Sequence, residues 1–166
     1  RKEAIRDVLI FRQYRRGLFP TAIKEERELE MHEGLAEYTG FRLSGRSDVE
    51  LAKAIARHLE DAPGYKTFVR SFAYASGPAY GFLLDRSNPG WQRNLKPADD
   101  LGKLLQTFYL IQLPENFKDE ADERSKKYNG SEIVEKETRR EEIRQERIRI
   151  DRKKFVTGPV LILPLQ

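Results

Sequence analysis

Residues 65–84 have almost no polar face. Phe72, Tyr74, Ala79, Tyr80, Phe82, Leu83 and Leu84, with Phe68 and Val69 before them, fall on every side of a helix drawn through this stretch. An element that is apolar all round has to be enclosed by others. Pro78 interrupts it, and the expectation is a new helix starting near Gly77, where the missing proline N–H costs least.

The flanking sequence supplies the enclosing elements. Residues 2–16 place Ile5, Val8, Leu9, Phe11 and Tyr14 among Arg and Lys at roughly helical spacing, with Gly17 and Pro20 as the stop. Residues 22–38 predict a second helix, N-capped near Thr21, acidic at Glu25 and Glu26, and stopped at Gly40. Ser47-Asp48-Val49-Glu50 has the form of a capping box opening a third, which runs to about Leu59 before Pro63-Gly64. Asn88-Pro89-Gly90 is a turn, after which Trp91 is expected to dock on the bundle. Residues 99–110 predict a shorter helix and residues 131–155 a long charged one, packed by one edge. The final Val160-Leu161-Ile162-Leu163 predicts a buried strand whose partners lie beyond the C-terminus. The fold class is therefore mainly α. The expected divisions are a helical subdomain at 1–114, a charged helical extension at 115–156, and the start of a truncated strand-containing region at 157–166.

Composition narrows the function. No Cys is present, which excludes a disulfide framework, a thiolate metal site and a Cys nucleophile. The net charge of +4 is spread out: residues 115–154 hold 13 basic and 12 acidic residues, and the remainder 18 and 15. Phosphate binding needs clustered cations, so nucleic acid is not an expected partner; a nucleic-acid-binding helical domain would bind in a salt-sensitive way. No apolar run approaches the ~20 residues of a membrane span.

Glu33 and Glu37 stand four apart in His32-Glu33-Gly34-Leu35-Ala36-Glu37-Tyr38, one helical turn from each other. Beside Gly34, Leu35 and Ala36, at least one is expected to face inward, where a carboxylate needs a cation, a metal or a hydrogen-bond donor. This segment resembles the "NEGFAEY" segment of gluzincins, the zinc metallopeptidases that include aminopeptidase N and thermolysin relatives. In them HExxH on an upstream helix supplies two His ligands and a Glu base. The resemblance implies that Glu33 is the third zinc ligand and that Glu37 supports a zinc-bound His from the second shell. Tyr74-Ala75-Ser76-Gly77-Pro78-Ala79-Tyr80 is similar to the "Y-x-K-G-A" segment of the aminopeptidase branch. It implies that Tyr74 donates to the oxyanion of the tetrahedral intermediate. The likeness covers roughly residues 22–86.

The sequence also departs from that pattern. It contains no HExxH, and its two histidines, His32 and His58, are too far apart to ligate as an i, i+4 pair. His32 replaces the usual Asn, and Ser76 stands where Lys is common. The chain starts at Arg1 rather than Met, and the family reading expects HExxH upstream. These residues alone would then be inactive, the intact protein being a zinc-dependent hydrolase of peptide or protein substrates. The residues themselves leave the compartment open, and the resemblance is compatible with export to the periplasm or outside the cell, where many gluzincins work. The alternative is a non-catalytic helical interaction module of zincin-like shape. Plainer readings stand beside each residue. Glu33 and Glu37 could be solvated or paired with Arg15, Arg16 or Arg42, and Tyr74 and Tyr80 could be core packing. His32 could be a surface residue, Asp85-Arg86 a helix-end ion pair, and Trp91 a loop anchor rather than a substrate platform.

Overall fold

A computed structural model describes residues 2–65 and 71–159. The mainly α class holds, and there is no strand among the described residues. The strand expected at 160–163, like Phe68 and Val69, lies outside them. The chain divides into two compact units, Arg1–Ala121 and Asp122–Gln166.

In the first unit, α1 (Lys2–Leu18) buries Ile5, Leu9 and Ile10. The single helix expected at 22–38 is instead α2 (Ile23–Leu29), a π-helical turn at Glu30–Gly34, and α3 (Leu35–Leu43). In the π turn the Leu35 N–H reaches back to the Glu30 carbonyl. The register of buried residues gives the reason. Glu26, Glu30, Gly34 and Tyr38 are all buried, four apart each time. At 3.6 residues per turn each such step overshoots by about 40°, so three would carry the last residue about 120° off the face. One wide turn removes most of that drift. Gly40 does not stop the helix; it sits in α3 with open space around it, and the chain turns at Gly45, whose φ is +75°.

The capping box forms as expected at the start of α4 (Asp48–Asp61): the Ser47 side chain accepts from the Glu50 N–H, and the Glu50 carboxylate accepts from the Ser47 N–H at 2.9 Å. α5 (Ser71–Ser87) is one helix running through Pro78, not two meeting near Gly77. Its buried face is made of Ala73, Gly77, Pro78, Tyr80, Gly81 and Leu84. The small residues on that face let α3 and the π turn approach closely. A Cβ on Gly77 would lie 2.3 Å from the Gly34 Cα, and one on Gly81 would lie 2.3 Å from the Tyr38 ring. α6 (Leu101–Phe108) is N-capped by Asp100, whose Oδ1 accepts from the Lys103 N–H at 3.0 Å. Ile5, Leu9, Tyr38, Tyr80, Leu84, Trp91, Leu101 and Leu105 form the core, so Trp91 is the anchor expected of it. α7 (Phe117–Ser125) lies within the charged helical stretch expected from residue 115, and the boundary between the two units falls inside it.

In the second unit, α8 (Gly130–Phe155) has no buried residue. Ion pairs along its own surface support it, including Glu132–Lys136 at 2.6 Å and Glu141–Arg144 at 2.7 Å. The like-charged neighbours Glu137 and Glu141, four apart, are relieved because each takes an arginine three residues on.

Candidate functional site

Glu33 lies in the π turn and Tyr74 in the first turn of α5, and the structure brings them together: the Tyr74 hydroxyl donates to the Glu33 Oε2. The contact depends on the glycine crossing. Gly34 follows Glu33, Gly77 lies three residues after Tyr74, and the two backbones touch where any side chain would separate them. Both members of the pair remain accessible, Tyr74 at 37% exposure and Glu33 half-buried. Glu37, one turn on, is half-buried, and His32 is exposed. Arg15, Arg16 and Arg42, the cations considered for Glu33 and Glu37, are engaged elsewhere.

His58 reaches the same region from α4. Its Nε2 lies 3.0 Å from the Tyr74 carbonyl, and its ring packs against Phe41 with centroids 5.4 Å apart.

Two further polar clusters were not foreseen. The first is a buried ionic network across α1, α2, the π turn and the start of α6. Arg12 forms a two-pronged pair with Glu30 and also reaches Asp100 at 3.3 Å, while Arg16 meets Asp100 at 2.7 Å and Glu26 at 3.7 Å. Arg15 pairs with Glu26 from the solvent side. Arg12 lies 5.6 Å over the Tyr80 ring, so Tyr80 belongs to the core and this network. Burial opposes the Arg12 charge, and Glu30, Tyr80 and Asp100 more than offset it. Burial likewise pushes the Asp100 carboxyl up, but Arg12, Arg16 and the Lys103 N–H outweigh it and hold the group below the ordinary carboxylate range. Burial raises the Tyr80 phenol. The signal was present in the sequence as carboxylates at 26 and 30 facing arginines at 12 and 16, but spacing within two helices does not say that the helices face each other.

The second cluster surrounds Asp85. Its carboxylate accepts from the Tyr38 hydroxyl at 2.7 Å, the Trp91 Nε1 at 3.1 Å and the Gln92 Nε2 at 2.9 Å. Burial, with the Asp85 carboxylate next in size, drives the Tyr38 phenol far up. Asp85 and Arg86 are not a helix-end ion pair. Arg86 lies over the Phe82 ring and 3.7 Å from Asp48, while Asp85 holds the loop that carries Trp91. Asp85 also lines an open pocket of about 520 Å³ with Arg42, Asp48 and Arg86, whose charges balance.

Among the described residues no three His, Asp or Glu side chains converge as a metal ion would require. Glu33 offers one carboxylate, with Oε2 engaged by Tyr74, and the Nε2 of His58 is turned to a carbonyl. What the structure brings together is one carboxylate with a phenol donor beside it. No helix is long and apolar enough to cross a membrane among the described residues. In comparisons with known proteins, the chain matches no family model, no curated protein and no solved structure.

Proposed function

We propose that this chain carries one side of a zinc peptidase centre, with Glu33 as a metal ligand and Tyr74 as the donor to the reacting carbonyl oxygen. The observation that carries this reading is the hydrogen bond between the two side chains. They belong to separate motifs 41 positions apart, and a closely packed helix pair brings them side by side at an accessible surface. On this reading two histidine ligands come from outside these residues, and Glu37 steadies one of them. Bound zinc would supply an acidified water and polarisation of the scissile carbonyl. The Tyr74 phenol has one O–H, which it gives to Glu33, so on this reading it turns from the carboxylate to the substrate oxygen as negative charge develops there.

The rival reading is a non-catalytic helical module. It is favoured by the Glu33 carboxylate already having a protein donor and by the lack of three converging ligands among the described residues. Zinc content separates the two. The peptidase reading expects about one zinc per chain in the full-length gene product purified without chelators, and its loss in Glu33→Gln. Tyr74→Phe should keep the metal and lower peptide hydrolysis by about 10²-fold. Failure to take up zinc on reconstitution, or zinc retained in Glu33→Gln, refutes the assignment.

A further inference from the structure

α5 has a gap in its backbone hydrogen bonding at Pro78. In an α-helix the N–H of residue 78 would donate to the carbonyl of Tyr74, and proline has no N–H. Such a carbonyl, set in a packed helix, calls for a donor from elsewhere. The structure supplies one from another helix: the His58 Nε2, 3.0 Å from the Tyr74 oxygen. A carbonyl can only accept, so Nε2 must carry the proton.

We infer that His58 is a positioning residue for Tyr74, its Nε2–H replacing the helical donor that Pro78 removes and thereby fixing the α5 backbone where the Tyr74 hydroxyl meets Glu33. Three features support it. The residue whose carbonyl is held is the same one whose side chain reaches Glu33. The His58 ring is half-buried and packs on Phe41, with centroids 5.4 Å apart, while its Nε2 meets the Tyr74 oxygen. The α5 backbone is also held by the Gly34–Gly77 contact three residues on, so that α5 meets α4 at Tyr74 and the π turn at Gly77. The functional meaning of this role rests on the reading of Tyr74 given above. The hydrogen bond itself does not.

The test has three parts, each able to overturn the inference. First, long-range ¹H–¹⁵N correlation spectra at about pH 8, where an ordinary imidazole is neutral, should show His58 protonated at Nε2, with His32→Gln assigning the only other histidine. A dominant Nδ1–H form refutes the inference without any variant at position 58.

Second, His58→Phe keeps the aromatic packing and removes the donor. It should raise the unfolding equilibrium constant about five- to tenfold in the native background, and less than about twofold in Pro78→Ala, where residue 78 regains its N–H. Equal effects in both backgrounds refute it. Third, with tyrosine labelled at ¹³Cζ, His58→Phe should move the Tyr74 resonance toward its position in Glu33→Ala, and His58→Gln, which keeps an N–H donor, should restore it. An unmoved resonance means that His58 is structural only and overturns the positioning role. None of these readouts involves zinc or hydrolysis, so their failure is distinct from failure of the peptidase reading.

Discussion

Gly77→Ala should destabilise the protein although it replaces a helix-interior glycine by the best helix former. The added Cβ would stand 2.3 Å from the Cα and 2.3 Å from the carbonyl oxygen of Gly34, and 2.4 Å from its carbonyl carbon. All three are backbone atoms, so no rotamer change relieves the clash, and the helices must part by about 1 Å or more to reach ordinary contact distance near 3.5 Å. Overpacking of this kind costs about 1–3 kcal/mol and sometimes more. The parting also loosens Tyr38 on Gly81, where the ring fills the space a Cβ would occupy. Against this stands a gain of about 1 kcal/mol in helix propensity. Because the clash is with three backbone atoms, the cost belongs at the upper end of that range, about 3 kcal/mol, and the net expectation is a loss of about 2 kcal/mol. Gly40→Ala is the internal control, since Gly40 is also helical but has nothing within 4 Å of its added Cβ, and it should gain about 0.5–1 kcal/mol. The two changes, chemically identical, should differ by about 3 kcal/mol. Urea unfolding followed by Trp91 emission measures this, because Trp91 is the only tryptophan and is 3% exposed. If Gly77→Ala is as stable as Gly40→Ala, the backbones do not cross at Gly34 and Gly77, and the placement of Tyr74 beside Glu33 loses its basis.

The buried ionic network predicts two more outcomes. Arg12→Met should cost about 3–5 kcal/mol in the same unfolding assay, because it strands Glu30, which is 1% exposed, and removes one of two cations from Asp100; a cost under about 1 kcal/mol would mean that water reaches Glu30. Asp100 is held below its ordinary value of 3.8, so the stability it contributes is present above that value and is lost as pH falls through the lower folded value. Asp100→Asn keeps an acceptor for the Lys103 N–H but has no charge to lose, so its stability deficit relative to wild type should shrink as pH drops from about 7 to about 2. A deficit that stays constant across that range would remove Asp100 from the acid response.

Much of the local structure was legible because it is decided within a few residues of chain. The capping box at Ser47 and Glu50 involves only neighbours, and α4 begins there. Like-charged neighbours in α8 are relieved by partners three residues on, so that helix, too, can be read locally. Glu33 and Tyr74 could each be picked out by motif, but their contact could not, since it depends on how closely two helices approach. The stop expected at Gly40 failed for a related reason: glycine weakens a helix without ending it unless the chain must adopt positive φ, as it does at Gly45.

By itself the amino-acid sequence determined the mainly α class, the start of α4 and the helix cap at Ser47. Tertiary structure alone decided the wide turn at Glu30–Gly34, the ionic network of Arg12, Arg16, Glu26, Glu30 and Asp100, and the use of His58 by Tyr74. The physical reason is common to all three. Helical periodicity reports which side of an element is apolar, whereas a buried charge, an off-register turn or a carbonyl deprived of its donor is resolved only by whatever atom another helix brings to it.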